Sequence, residues 1–221
     1  MDQLAGYIDH TLLKPDATEA QILQLCKEAI DNSFFSVCVN SYYVPLCASI
    51  LKNSKVKLCA VVGFPLGAMS TETKSFETSW CIQNGADEID MVIQIGALKD
   101  GKKNAVVEDI RQVVAAASGR IVKVIIETSL LNVAEKILAC ELSREAKAHF
   151  VKTSTGFNGG GATVEDVLLM KKTVGDELRV KASGGVRDLA TAEAMIAAGA
   201  SRLGTSSGVH LMKNQSATEA Y

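Results

Sequence analysis

Eight short apolar runs recur along the chain with helix-like stretches between them, and this alternation constrains the fold more than any other feature. The runs are YIDHTLL (7–13), FFSVCVN (34–40), VKLCAVVGF (56–64), DEIDMVI (87–93), RIVKVIIET (120–128), HFVKTS (149–154), LRVKASG (178–184) and SRLGTSS (201–207). Each is of strand length and bounded by turn or helix signals. Between them, Thr18 three residues before Gln21, and Thr71 ahead of Lys74 and Phe76, open two helical segments. Segment 132–147 carries leucine, isoleucine and alanine at helical spacing. The joints NGADEID (84–90) and AGASRLG (198–204) each set a glycine where a helix C-cap gives way to a strand. Repeated strand–helix units demand parallel strands joined by right-handed crossovers. Eight such units in 221 residues, with no linker or composition break, predict a single-domain (β/α)8 TIM barrel of the α/β class. It spans 1–221, with a short flexible tail from about 214 to 221. A doubly wound open sheet is the alternative, but the early glycine-rich fingerprint that such a sheet usually carries is not found.

What the chain lacks narrows its class. A formal net charge of −2 gives no electrostatic footprint for nucleic acid or an anionic membrane. The opening MDQLAGYIDH has neither the basic nor the apolar region of a signal peptide, and no apolar run is long enough to span a bilayer. A cytoplasmic protein is therefore expected. Six cysteines (Cys26, Cys38, Cys47, Cys59, Cys81, Cys140) lie far apart with no C-x-x-C, and read as small buried hydrophobes in a reducing compartment. Cys38 could sit near a cavity, but an inert core thiol is the reading taken. His10, His149 and His210 make no metal-ligand spacing, so neither a metal nor a cofactor is expected.

Strand parity says which side chains enter a barrel. One face of each strand must be apolar against the helices, and the other points inward. Ile89, Met91 and Ile93 claim the outer face of the fourth strand and leave Glu88, Asp90 and Val92 inside. In the fifth, Val122, Val124 and Ile126 leave Lys123, Ile125 and Glu127. Val151 in the sixth leaves Phe150, Lys152 and Ser154, and Val180 with Ala182 in the seventh leaves Lys181 and Ser183. Asp90, Lys123, Lys152 and Lys181 thus converge on one cavity. Crowded like charges and desolvation both disfavour an ammonium, so one lysine is expected to have a lowered pKa. A neutral amine is the nucleophile that forms Schiff bases with carbonyl compounds, and a second lysine and an aspartate can move its protons. A buried ion-pair network that only ties strands together is the structural alternative.

Phosphate sites of barrels lie in the loops after strands seven and eight, at a short helix N-terminus. Here those loops read ASGGVR (182–187) and LGTSSG (203–208), with STGFNGGG (154–161) after the sixth strand. Gly156, Gly184, Gly185, Gly204, Ser206 and Ser207 could present N–H groups and hydroxyls, and Arg187 could add charge. The residues together describe a Schiff-base enzyme acting on a small phosphorylated carbonyl compound.

Several stretches then carry a family resemblance: IDHTLLKPDAT (8–18), VCVN (37–40), VVGFPLG (61–67), GADEIDMV (85–92), VKVIIET (122–128), FVKTSTGF (150–157), VKASGGVR (180–187) and GTSSG (204–208). Along essentially its whole length the chain resembles the deoxyribose-phosphate aldolases, class I aldolases on a TIM barrel. The resemblance implies that Lys152 forms the Schiff base, a choice that parity leaves open among Lys123, Lys152 and Lys181. It implies that Asp90 and Lys181 share proton transfer with Lys123 close by, that Asp9 lies near the pocket, and that Tyr221 reaches over it. The implied reaction is reversible cleavage of 2-deoxy-D-ribose 5-phosphate to D-glyceraldehyde 3-phosphate and acetaldehyde, without a metal, in deoxynucleoside breakdown. The partners are then a small sugar phosphate and aldehydes, with a homodimer as the expected assembly. The rivals are a transaldolase-like Schiff-base enzyme, a barrel that only binds a sugar phosphate, and a metal-dependent lyase.

Overall fold

Parallel neighbours cannot be joined by a tight turn, so each strand must be followed by a crossover that returns the chain to the same end. The computed structural model describes residues 2–215 and shows eight parallel strands, one at each expected run, the last beginning one residue early at Ala200. They are β1 (Ile8–Leu12), β2 (Ser36–Val39), β3 (Lys57–Val62), β4 (Glu88–Val92), β5 (Ile121–Ile125), β6 (Phe150–Lys152), β7 (Arg179–Ser183) and β8 (Ala200–Thr205). They pair in chain order, and β8 closes on β1 through Ile8↔Leu203 and Asp9↔Gly204.

The helices are α1 (Asp2–Ala5), α2 (Glu19–Asp31), α3 (Val44–Leu51), α4 (Thr71–Gln83), α5 (Ile95–Lys99), α6 (Lys103–Ala116), α7 (Val133–Glu145), α8 (Val164–Val174), α9 (Leu189–Ala197) and α10 (Gly208–Met212). Reciprocal capping boxes open two of them: Thr18 with Gln21 at α2, and Asn132 with Glu135 at α7. The cap of α4 is Ser70, one residue before the expected Thr71. Gly85 and Gly199 take φ values of 107° and 109°, which explains glycine at both helix-to-strand joints.

Packing bears out the parity. Ile89, Met91, Ile93, Val122, Val124, Ile126, Val151, Val180 and Ala182 all join one buried cluster between barrel and helices. Each of these valines and isoleucines, and Met91, contributes about 1.5–3 kcal/mol by leaving water. Inside the barrel, a second and smaller cluster holds Leu13, Cys38, Cys59 and Val61 with Phe64 against it. The barrel interior thus has an apolar side, on β2 and β3, and a charged side that begins at β4. All six cysteines are free and buried, as their apolar surroundings suggest.

One polar group crosses the outer layer. Lys74 of α4 is fully buried, pairs with Asp109 of α6 at 2.6 Å and donates to the Val92 carbonyl at 2.9 Å. Burial pushes its pKa below the ordinary lysine value, against the pull of Asp109. Thr71 donates to the other Asp109 oxygen at 2.9 Å, so the pair pins α4 and α6 to the end of β4. Asp109→Ala would strand a buried ammonium and is expected to destabilise the protein by about 3–5 kcal/mol in urea unfolding. Combining Lys74→Met with Asp109→Leu should recover most of that loss; a double variant no better than Asp109→Ala would contradict it.

Candidate active site

Period-two geometry delivers the charged residues to one point, because the register aligns them laterally. Asp90 is opposite Lys123, and Lys152 is opposite Lys181. The Asp90 carboxylate is fully buried and accepts from all three amines. Lys123 reaches Oδ1 at 2.8 Å, while Lys152 and Lys181 each reach Oδ2 at 2.8 Å. Lys152 is the last residue of β6 and, at 3% exposure, the least enclosed of the three. The Cys59 thiol donates to Asp90 Oδ1 at 3.1 Å, and Lys123 lies 3.4 Å from that sulfur.

Deeper in the barrel the network continues. Asp9 on β1 pairs with Lys181 through one oxygen and with Arg202 Nε through the other, at 2.9 Å. Glu88 pairs with Lys123 at 2.6 Å and with the Arg202 guanidinium. Ser36 donates to Asp9 Oδ1 at 2.6 Å. Asp9 is therefore an integral member of the cluster rather than a neighbour of it. Arg202 is a residue that sequence reasoning missed. The signal was present: with Leu203 in the outer cluster, parity turns Arg202 and Gly204 inward.

The loops after β6, β7 and β8 meet at the same end. Thr205 Oγ1 donates to the Val186 carbonyl at 2.7 Å, Ser183 Oγ donates to the Ser154 carbonyl at 2.6 Å, and Ala162 N–H donates to the Gly184 carbonyl at 2.9 Å. A Cβ on Gly161 would lie 2.5 Å from the Gly184 oxygen, so the loops interlock only without side chains there. Gly156, Gly184 and Gly185 adopt φ values of 86°, 81° and 80°. Gly204 and Ser207 are buried, Gly156 is half-buried, and Gly185, Arg187 and Ser206 are exposed. Ser207 caps the short α10. Glu127, in the left-handed region at φ 57°, gathers the first of these loops, accepting from Thr155 N–H at 3.2 Å, its hydroxyl, and Asn158 at 2.8 Å.

Residues 4–214 match the model of the DeoC/LacD family of aldolases. The chain belongs to that family. It is 63% identical over 219 residues to the deoxyribose-phosphate aldolase of Bdellovibrio bacteriovorus, covering 99% of this chain and 100% of that one. To the enzyme of Carboxydothermus hydrogenoformans it is 58% identical over 223 residues, covering 99% and 98%. The solved structure of the deoxyribose phosphate aldolase from Aeropyrum pernix, described as tetrameric, superposes with a TM-score of 0.91. The two are 35% identical, with 96% of this chain and 90% of that chain covered.

In this aldolase crowding does not lower the pKa of Lys123 or of Lys181. Burial alone would lower the pKa of Lys123 and of Lys181, yet both are raised. Asp90 and Glu88 outweigh burial at Lys123, and Asp9 and Asp90 do so at Lys181. Parity had shown the three lysines but not how many carboxylates share them. Conversely, burial would raise Asp90, and Lys123, Lys152 and Lys181 hold it well below the usual carboxylate range. Among the described residues, Cys38, Cys59 and Asp90 form the one trio at metal-ligand spacing. Three ammonium groups already fill the Asp90 oxygens and would repel a cation. No helix among the described residues is long and apolar enough to cross a membrane. Tyr221 and most of the expected tail lie outside the described residues.

Asp9 gives a pH-dependent test. Burial raises its pKa, but Lys181 and then Arg202 lower it to about 2 from 3.8. A carboxyl depressed in the fold stabilises it above the free value, and that contribution is lost as pH falls through the folded one. Asp9→Asn is therefore expected to be less stable than the parent at neutral pH, with the gap closing as pH drops from about 4 towards 2. Urea unfolding at stepped pH measures this; a gap that does not change with pH would contradict the assignment.

Proposed function

We propose that this aldolase reversibly cleaves 2-deoxy-D-ribose 5-phosphate to D-glyceraldehyde 3-phosphate and acetaldehyde through a Schiff base on Lys152. The observation that carries the reading is the shared oxygen: Lys152 and Lys181 both lie 2.8 Å from Asp90 Oδ2. A nucleophile, a proton acceptor and a proton donor thus meet at one atom. The lysines match the carboxylates with one cation to spare, since Lys123, Lys152, Lys181 and Arg202 face Asp9, Glu88 and Asp90. Lys152 touches one carboxylate, whereas Lys123 and Lys181 touch two each, so its neutral form breaks the fewest ion pairs.

Neutral Lys152 adds to the C1 aldehyde, and loss of water with uptake of one proton, returned at the closing hydrolysis, leaves a protonated imine. That cation draws the C2–C3 bonding electrons as Asp90, directly or through a water, accepts the C3 hydroxyl proton. Glyceraldehyde 3-phosphate departs, and an enamine remains on Lys152. Lys181, held protonated beside Asp9 and Asp90, returns a proton to C2, and hydrolysis of the new imine releases acetaldehyde and the free amine. Lys123 holds the other Asp90 oxygen and keeps the carboxylate oriented.

The interlocked loops supply the phosphate end. Gly156, Gly184, Gly185, Gly204, Ser206 and Ser207 offer backbone N–H groups and hydroxyls around the start of α10, and Arg187 adds a mobile charge. Arg187→Ala is expected to raise KM for deoxyribose 5-phosphate several-fold while leaving KM for unphosphorylated deoxyribose unchanged. Equal effects on both substrates would remove Arg187 from the phosphate site. The six free cysteines suit a cytoplasmic setting. A homo-oligomer with the dimer as its unit is the assembly we propose, supported by the tetramer formed by the Aeropyrum pernix relative.

Incubation with acetaldehyde, borohydride reduction and tryptic mapping test the central claim. An ethyl group on Lys152 blocks cleavage there and yields one peptide from Ala148 to Lys171. Lys152→Ala should lose the adduct and several orders of magnitude in kcat. An adduct on Lys123 or Lys181 would reassign the nucleophile, and no acetaldehyde-dependent adduct would overturn the Schiff-base reading.

A further inference from the structure

The Schiff-base chemistry engages Asp90 and the lysines but gives Arg202 no task, although it is buried and held by two carboxylates. It is 4% exposed, and its guanidinium lies 3.3 Å from the centroid of Phe35 and 5.9 Å from that of Phe150. It binds Asp9 through Nε and Glu88 through a terminal nitrogen, and on β8 it stands opposite Lys181. It therefore bridges the two carboxylates that neutralise Lys181 and Lys123 from below.

Every strand contributes to the set around Lys152. β1 gives Asp9, β4 gives Glu88 and Asp90, β5 gives Lys123, β7 gives Lys181 and β8 gives Arg202, while β2 and β3 add the Cys38 and Cys59 thiols. Glu127, just after β5, is committed to Thr155 and Asn158. His149, exposed ahead of β6, and Arg179, exposed at the start of β7, stand at the opposite end of these strands from the phosphate loops. Within this enclosure an arginine keeps its proton at any accessible pH, whereas a lysine can release one. With Arg202 charged, three lysine ammoniums leave the set one positive charge in excess, and the loss of one lysine proton balances it.

We propose that Arg202 is a positioning residue for this chemistry: by holding Asp9 and Glu88 with a permanent charge, it sets the balance that leaves Lys152 as the neutral nucleophile. Without that charge, three lysines would match three carboxylates, and the balanced state would be the one with every lysine protonated. The inference rests on the Lys152 reading above and predicts a direction that packing alone cannot produce.

The test is the pH profile of kcat/KM for deoxyribose 5-phosphate, which reports ionisations of the free enzyme and, in a coupled cluster, belongs to the set as a whole. Arg202→Met keeps the bulk and removes the charge. Its acidic limb should move to higher pH by on the order of one unit, with activity near neutrality down roughly tenfold and recovering as pH rises. Arg202→Lys keeps the charge and should keep the limb of the parent. Glu88→Gln removes a carboxylate instead and should move the limb to lower pH, so the idea remains testable even where Arg202→Met does not fold. A residue that served only packing would lower activity at every pH and leave the limb in place. Unmoved limbs in Arg202→Met and Glu88→Gln, or a shift of both in one direction, would overturn the role of Arg202. Acetaldehyde–borohydride labelling of the parent separates the two claims. Without a Lys152 adduct both fall; with one, unmoved limbs remove only Arg202.

Discussion

The carboxylate of Asp90 is the group on which the interior of this barrel depends. An ammonium buried without a counter-charge costs several kilocalories per mole or gives up its proton, and three of them meet at this one residue. They are tolerated because charge alternates outward from it. Asp9 stands behind Lys181, Glu88 behind Lys123, and Arg202 joins those two carboxylates. Removal of Asp90 would leave Lys152 charged, buried and unpaired, and removal of any other member would unbalance the charges it joins. This is why the network spans β1, β4, β5, β6, β7 and β8 rather than a single hairpin-like pair, and why the closure of the barrel and the charge balance require each other.

The remaining part of the interior is deliberately unlike it. Leu13, Cys38, Cys59 and Val61 with Phe64 line the side formed by β2 and β3. A low-dielectric wall facing a charged one strengthens every ionic contact between them and leaves little room for water to solvate the lysines. An amine that must be neutral to react, beside a carboxylate that must stay ionised, is well served by such a division. Environment sets the charge states: Asp90, among its lysines, is held far below the ordinary carboxylate pKa, and Lys181, beside Asp9 and Asp90, far above the ordinary lysine value.

The mouth of the barrel is ordered by a different device. Glu127 occupies a backbone conformation that non-glycine residues rarely adopt, and in return its carboxylate collects the amide and hydroxyl of Thr155 and the amide of Asn158. The loop that leaves Lys152 is thereby fixed against the end of β5. Its glycines then lie flush with the Gly184 turn, close enough that a single added Cβ at Gly161 would meet backbone. Lys152 and the glycines that pack on the Gly184 turn thus belong to one continuous stretch, residues 152–161.

Much of this was legible in the chain itself. Alternation of strand and helix signals specified a closed barrel, and a period of two on β4 to β7 placed Glu88, Asp90, Lys123, Lys152 and Lys181 inside, because side-chain direction along a strand is a local property of the backbone. Glycine at the helix-to-strand joints and Asn132 at the start of α7 were readable for the same reason. What the tertiary structure alone decided is how these residues share charge. Asp9 and Arg202 are 193 residues apart and meet only because β8 closes on β1. The register of β4 to β7 together with the closure of β8 on β1, not the parity of any one strand, gives Lys123 and Lys181 two carboxylates each and Lys152 one. Electrostatic energy falls with distance through space and takes no account of separation along the chain. The sequence therefore named the charged residues, and the closed barrel determined which of them neutralise each other and left Lys152 with a single carboxylate.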